Sequence, residues 1–195
     1  MQRSFSITYD YLCPFARNAN ETLVEMLQGG AAYSVNFVPF SLAQTHTDDG
    51  EIPQWDRPLD EVGGGVLALL WSIAVRDGYP EFFLAFHAAV FSARHDEGSD
   101  IGAEGVLGRV ALSVGLDAES IRSHVATGAP AGTLAVEHME LVEDHETFGV
   151  PTFIEGDEAV FVRFMERHTP DDVERALDML GWTNLNEFKR TTIPR

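Results

Sequence analysis

Apolar and polar positions alternate at the start of the chain. Phe5, Ile7 and Tyr9 stand against Ser6 and Thr8, and period two predicts a β-strand. After Asp10-Tyr11-Leu12 the period changes. Pro14 follows Cys13, and proline suits the first turn of a helix, where its missing N–H is not needed. Ala16, Ala19, Leu23, Met26 and Leu27 then recur at helical spacing, and Gly29-Gly30 supplies a stop. Tyr33, Val35 and Phe37 alternate again, so the opening of the chain reads β-α-β, the unit that builds a parallel strand pair.

Periodicity fades from Ser41 to Trp55, which reads as a loop. The pattern then turns helical. Leu67, Leu70, Ile73 and Ala74 share one face; Phe82, Phe83, Phe86 and Val90 share another, after Pro80-Glu81. Val106, Leu107, Val110 and Val114 follow, and then Ser120, Ile121 and Val125 behind Asp117 as N-cap. These make a block of about four helices with no strand signal. From Ala131 to Phe148 the pattern predicts one long helix. Pro151-Thr152-Phe153-Ile154 and Ala159-Val160-Phe161-Val162 are two short β-rich runs, and Gly156-Asp157 between them suits a hairpin turn. Thr169-Pro170-Asp171-Asp172 opens a last helix with an N-cap, a proline and two acids, and Val173, Ala176, Leu177 and Leu180 form its apolar stripe. The tail from Trp182 to Arg195 carries no clear element.

Composition narrows the class. A chain of 195 residues with 45% hydrophobic content is globular and long enough to bury a core. Its formal net charge of −18 repels phosphate backbones, which argues against nucleic-acid binding. The N-terminus lacks the basic start and apolar stretch of a signal peptide, and the longest apolar run, Val66 to Val75, is too short to span a bilayer. One cysteine forms no internal disulfide, so a cytoplasmic location is the default expectation.

Candidate chemistry centres on two motifs. In Cys13-Pro14-Phe15-Ala16 a sulfur at a helix N-terminus faces unpaired N–H groups and the positive end of the helix dipole. Both favour thiolate, so a lowered thiol pKa is expected. Arg17 stands four residues on, with a charge that either lowers the pKa further or holds an anion. The alternative is an inert, packed cysteine. In Gly149-Val150-Pro151-Thr152-Phe153 the proline at a strand start is either an ordinary edge proline or a cis-proline. The seven histidines lack the three- or four-residue helical spacing of metal pairs, so no metal site is expected. His87, among phenylalanines, reads as a packed core histidine. Gly63-Gly64-Gly65 lacks the sequel of a phosphate loop and reads as a hinge or an irregular helix start. Trp55 and Trp71 are candidate pocket walls.

In this order the two motifs, Asp10-Tyr11-Leu12-Cys13-Pro14-Phe15-Ala16 and Phe148-Gly149-Val150-Pro151-Thr152-Phe153, resemble the DsbA-like thioredoxin family. That family includes dithiol oxidoreductases, kappa-class glutathione transferases, 2-hydroxychromene-2-carboxylate isomerases and actinobacterial mycothiol-dependent reductases. The resemblance runs from Phe5 to Leu180 in element order. It implies an α/β thioredoxin fold, discontinuous over 1–40 and 131–181, with an all-helical insertion at 56–130 and a tail at 182–195. It implies that Cys13 is the nucleophile, with Pro14 beside it, and that Pro151 is the cis-proline packed against it. Val150 would then offer its backbone N–H and C=O to an extended thiol or peptide, followed by Thr152. Ala16 departs from the family: a dithiol enzyme has its second cysteine here, so a mixed disulfide on Cys13 needs an external thiol to resolve it. Val162-Arg163-Phe164-Met165 departs too, where many relatives have a glycine and small or polar residues. Arg163 stands there either to bind a cofactor carboxylate or to face solvent. The resulting expectation is a single-cysteine thiol oxidoreductase working with mycothiol or glutathione on an electrophilic or disulfide substrate. A thiol-dependent isomerase or transferase and a non-catalytic binding protein remain the alternatives, and a homodimer is one open state of assembly.

Overall fold

The first strand, β1 (Arg3–Tyr9), forms where the alternation predicts it, but Thr8 is buried along with Ile7 and Tyr9. The reason is its position. In the computed structural model, which describes residues 2–48, 50–187 and 189–192, β1 lies inside a four-stranded sheet of order β2-β1-β3-β4. Inner strands packed on both faces lose the simple in–out code. α1 (Pro14–Gln28) carries the chain over to β2 (Tyr33–Pro39), which pairs with β1 in parallel from Arg3↔Tyr33 to Tyr9↔Pro39. The helix ends as its glycines predict. Gly30 has φ of +88°, the Gly30 N–H donates to Leu27 C=O, and the Ala31 N–H donates to Met26 C=O.

The loop after β2 contains two single-turn 3₁₀ segments, Gln44–His46 and Gln54–Asp56. The helical block follows as α2 (Gly64–Gly78), α3 (Pro80–His95), α4 (Glu104–Ser113) and α5 (Ala118–Ala126). Asp117 caps α5, accepting from the N–H groups of Glu119 and Ser120. The long helix α6 (Ala129–His145) packs on α2 and α5 as well as on β2, so it joins the insertion to the sheet. β3 (Thr152–Glu155) and β4 (Glu158–Phe161) form the hairpin, turning at Gly156 with φ of +62°. β3 runs antiparallel to β1, and α7 (Pro170–Leu180) closes the domain. Thr169 sits at the N-cap of α7, but its hydroxyl makes no capping bond and is buried without a partner, so the expected cap is not formed there. The described tail residues form no helix or strand; the expectation for Phe188 and for residues 193–195 lies outside the described residues.

The glycine run resolves as a packing device. A Cβ at Gly64 would lie 2.9 Å from the backbone nitrogen of Gly102, and one at Gly65 would lie 2.9 Å from Leu12 Cδ1. The start of α2 is thereby pressed against the loop that precedes Cys13. Trp71 lies in the core at 1% exposure, so it is no pocket wall. Behind the same loop runs a buried polar chain. Tyr9 and Tyr11 hydroxyls both lie 2.8 Å from Ser72 Oγ, Tyr11 lies 2.8 Å from His87 Nδ1, and His87 Nε2 lies 3.1 Å from Asn20 Oδ1. Asn20 donates its amide N–H to Ala16 C=O, so its oxygen must accept from His87 Nε2–H. Neutral His87 then accepts a hydrogen bond from the Tyr11 hydroxyl at Nδ1, and burial holds its pKa down at about 3. His87 is thus the core histidine the sequence predicts, fully satisfied. No helix among the described residues is long and apolar enough to cross a membrane.

Candidate active site

Cys13 is the N-cap of α1, with extended backbone and Pro14 in the first turn. Its sulfur accepts from the Ala16 N–H at 3.5 Å, as a capping oxygen would, and its thiol donates to Val150 C=O at 3.4 Å. The Val150–Pro151 peptide bond is cis. Sequence positions 137 residues apart thus meet because β1 and β3 are neighbours in the sheet and both loops leave it at the same end.

The electrostatics differ from the sequence expectation. Burial pushes the Cys13 thiol above its ordinary range, and the nearby Asp10 carboxylate adds to this. The N–H groups of Ala16 and Phe15 and the Arg163 guanidinium pull in the other direction without reversing it. Only 8% of the residue is exposed, so desolvation of a thiolate outweighs the helix N-terminus. The balance thus runs opposite to the lowered pKa expected from the helix start alone: burial, the largest influence, moves the thiol upward. Arg17, expected to lower the thiol pKa or hold an anion, is instead bound up in ion pairs. Its guanidinium is engaged by Glu21 and Asp96, tying α1 to the C-terminal end of α3.

Arg163 lies on the site side. Its guanidinium carbon is 5.6 Å from the Phe15 ring centre and 5.8 Å from that of Phe161. Among the described residues it makes no ion pair, in contrast to Arg17 and Arg167 nearby. The segment after β4 is held on α1 by Asn18, which donates to Phe164 C=O, and by Arg167 on Glu21. Trp55 is half-buried and packs against His138 on α6, away from the sulfur's own contacts. Thr152 is buried; its hydroxyl donates to Gly149 C=O and its N–H donates to Thr8 Oγ1, so it braces the loop from inside. Val150 C=O faces the sulfur, as described.

Two features escaped the sequence. Phe148 is 70% exposed and its ring lies tilted against that of Phe161, centroids 5.0 Å apart; Phe161 in turn lies across Gly149, where a Cβ would be 3.1 Å from its ring. An aromatic ledge therefore lies over Gly149, beside the Val150–Pro151 loop and beneath Arg163. The second is Asp10, quoted in the motif but given no role, and 1% exposed directly before the cysteine loop. Its signal was an acid inside an otherwise apolar strand end. The described residues contain no cluster of metal-ligating side chains; His138 stacks on Phe40 and accepts from the Ser41 N–H.

A four-stranded sheet with a parallel β-α-β start, an antiparallel hairpin, a cysteine at the N-terminus of the first helix and a proline loop against it defines a thioredoxin-fold protein with a helical insertion. The chain belongs to the DSBA-like thioredoxin domain family, whose model matches residues 6–178. Known structures share the architecture. The 2-hydroxychromene-2-carboxylate isomerase matches with TM-score 0.66 at 19% identity, covering 93% of this chain and 97% of its own. DsbA of Pseudomonas aeruginosa matches with TM-score 0.61 at 16% identity, covering 93% and 84%. MdbA of Actinomyces oris, a thiol-disulfide oxidoreductase, matches with TM-score 0.61 at 18% identity, covering 90% and 79%. At these identities the likeness is one of fold. No curated protein matches the chain by sequence.

Proposed function

We propose that this protein is a thiol oxidoreductase that works through Cys13 alone, with a low-molecular-weight thiol such as mycothiol or glutathione as co-substrate. The observation that carries the reading is the pairing of Cys13 Sγ with Val150 C=O beside Pro151, with Ala16 where an internal resolving thiol would stand. Cys13 thiolate attacks one sulfur of a disulfide R–S–S–R; a Cys13–S–S–R bond forms and R–S⁻ leaves, taking up a proton. A second thiol, deprotonated, attacks the R sulfur of that bond; a small-molecule disulfide leaves and the Cys13 thiolate is regenerated. The Arg163 guanidinium, on its aromatic ledge, is the group of this cleft that would hold a carboxylate of the co-substrate. Such chemistry suits a reducing cytoplasm, where small thiols are kept reduced.

The burial of Cys13 supports a second reading, in which the co-substrate's own sulfur reacts and Cys13 with the helix start only lines its site, as in an isomerase or transferase. Mass spectrometry after incubation with glutathione disulfide or mycothiol disulfide separates the two. A single adduct on Cys13 that free thiol removes, absent in Cys13→Ser, is the result expected. Thiol binding that persists in Cys13→Ser with no covalent adduct on the parent chain would favour the second reading.

A further inference from the structure

We infer that Asp10 is a positioning residue for Cys13: its buried carboxylate pins the loop that presents the sulfur and supplies the negative charge against which a thiolate must form. This rests on the reading of Cys13 as the reactive group. Three segments converge on this side chain. Oδ1 accepts from the Leu12 N–H at 2.9 Å, one residue before the cysteine, and Oδ2 accepts from the Leu42 N–H at 2.9 Å, on the loop after β2. The third is the start of α2, where a Cβ on Gly65 would come within 3.3 Å of Oδ1. The Asp10 C=O also accepts from the Cys13 N–H at 3.1 Å, closing the turn that carries the sulfur.

No cation pairs with this carboxylate among the described residues. Two backbone N–H groups and the uncapped first turn of α2 are its compensation. Glycine at 65 is what admits that turn so close. Burial raises the Asp10 carboxyl, and its ionised form acts on the sulfur with a sign opposite to that of Arg163 from the segment after β4. His95 on α3 donates from Nε2 to Tyr11 C=O and steadies the same loop without touching the sulfur. A loop that needed only a turn would be served by serine or asparagine. A carboxylate placed where water cannot screen it also sets the reactivity of its neighbour.

The test is the pH dependence of Cys13 alkylation by iodoacetamide in Asp10→Asn and Asp10→Ser, both of which keep an acceptor for the Leu12 N–H. The expected result is an alkylation profile moved to lower pH in both variants, with the rate at pH 7 raised about threefold. A profile that superimposes on the parent's, or moves to higher pH, overturns the inference even if the variants are less stable. Should neither variant fold, the parent chain still decides. Asp10 carboxyl titration, followed by NMR, is expected to lie higher when Cys13 carries a charged carboxymethyl group than a neutral carbamidomethyl group. Equal titrations overturn the inference. Iodoacetamide needs no natural partner, so a failure to find glutathione or mycothiol adducts would sink the proposed function and leave this result readable.

Discussion

Removing one oxygen atom tests how the core holds the cysteine loop. In Tyr11→Phe the ring keeps its packing against Tyr9, His87 and Phe91, but its hydroxyl is lost. His87 Nδ1 then has no donor at a site of zero exposure, because Nε2–H is already committed to Asn20. Leaving a buried acceptor unpaired costs roughly 1–3 kcal/mol, and Ser72 loses one of its two tyrosine partners besides. About 2 kcal/mol lowers Tm by roughly 4–8 °C in a chain of this size. Tyr9→Phe is the matched control. It removes only the contact with Ser72, which Tyr11 still satisfies, so its cost should stay near 1 kcal/mol. Urea unfolding at pH 7.5 measures both. The reasoning fails if Tyr11→Phe lies within about 0.5 kcal/mol of the parent, or if Tyr9→Phe costs more than Tyr11→Phe.

Stability should fall with acid. His87 is held down at about 3 and His138 at about 4, both by burial, against about 6.5 in the unfolded chain. The unfolded state therefore binds more protons than the native state between those values and about 6.5. Stability is full above that window and is lost as pH falls through it. Tm measured from pH 7.5 to 4.5 checks this, and His138→Gln should flatten the curve. Gly64→Ala places a methyl against the backbone of Gly102 and should destabilise by roughly 1–3 kcal/mol, read by the same urea titration. Arg163→Gln removes a cation that favours the Cys13 thiolate. Because that side chain is exposed, iodoacetamide alkylation at pH 8 should slow only about twofold, and an unchanged or faster rate would contradict the assignment.

Much of the site is legible in the sequence. Cys13-Pro14 after an alternating strand places a sulfur at a helix start by local rules alone, because a missing N–H is harmless only there. Gly156-Asp157 specified its hairpin in the same local way. The thiol's ionisation was not legible. The helix start, visible in sequence, favours thiolate; the burial that opposes it comes from packing contributed by distant segments. Arg17 shows the same limit: four residues from the cysteine, it is claimed by Asp96 across the helical insertion.

The sequence by itself determined the elements, their order and the lone cysteine at the head of α1, since strand period, helix period and turn chemistry depend on near neighbours. Tertiary structure alone decided which groups face that sulfur. Val150 C=O meets it from across the folded sheet, and the Arg163 guanidinium and the buried Asp10 carboxyl bear on its ionisation from separate segments. Contact and desolvation depend on what packs in space, and no spacing along a chain records either.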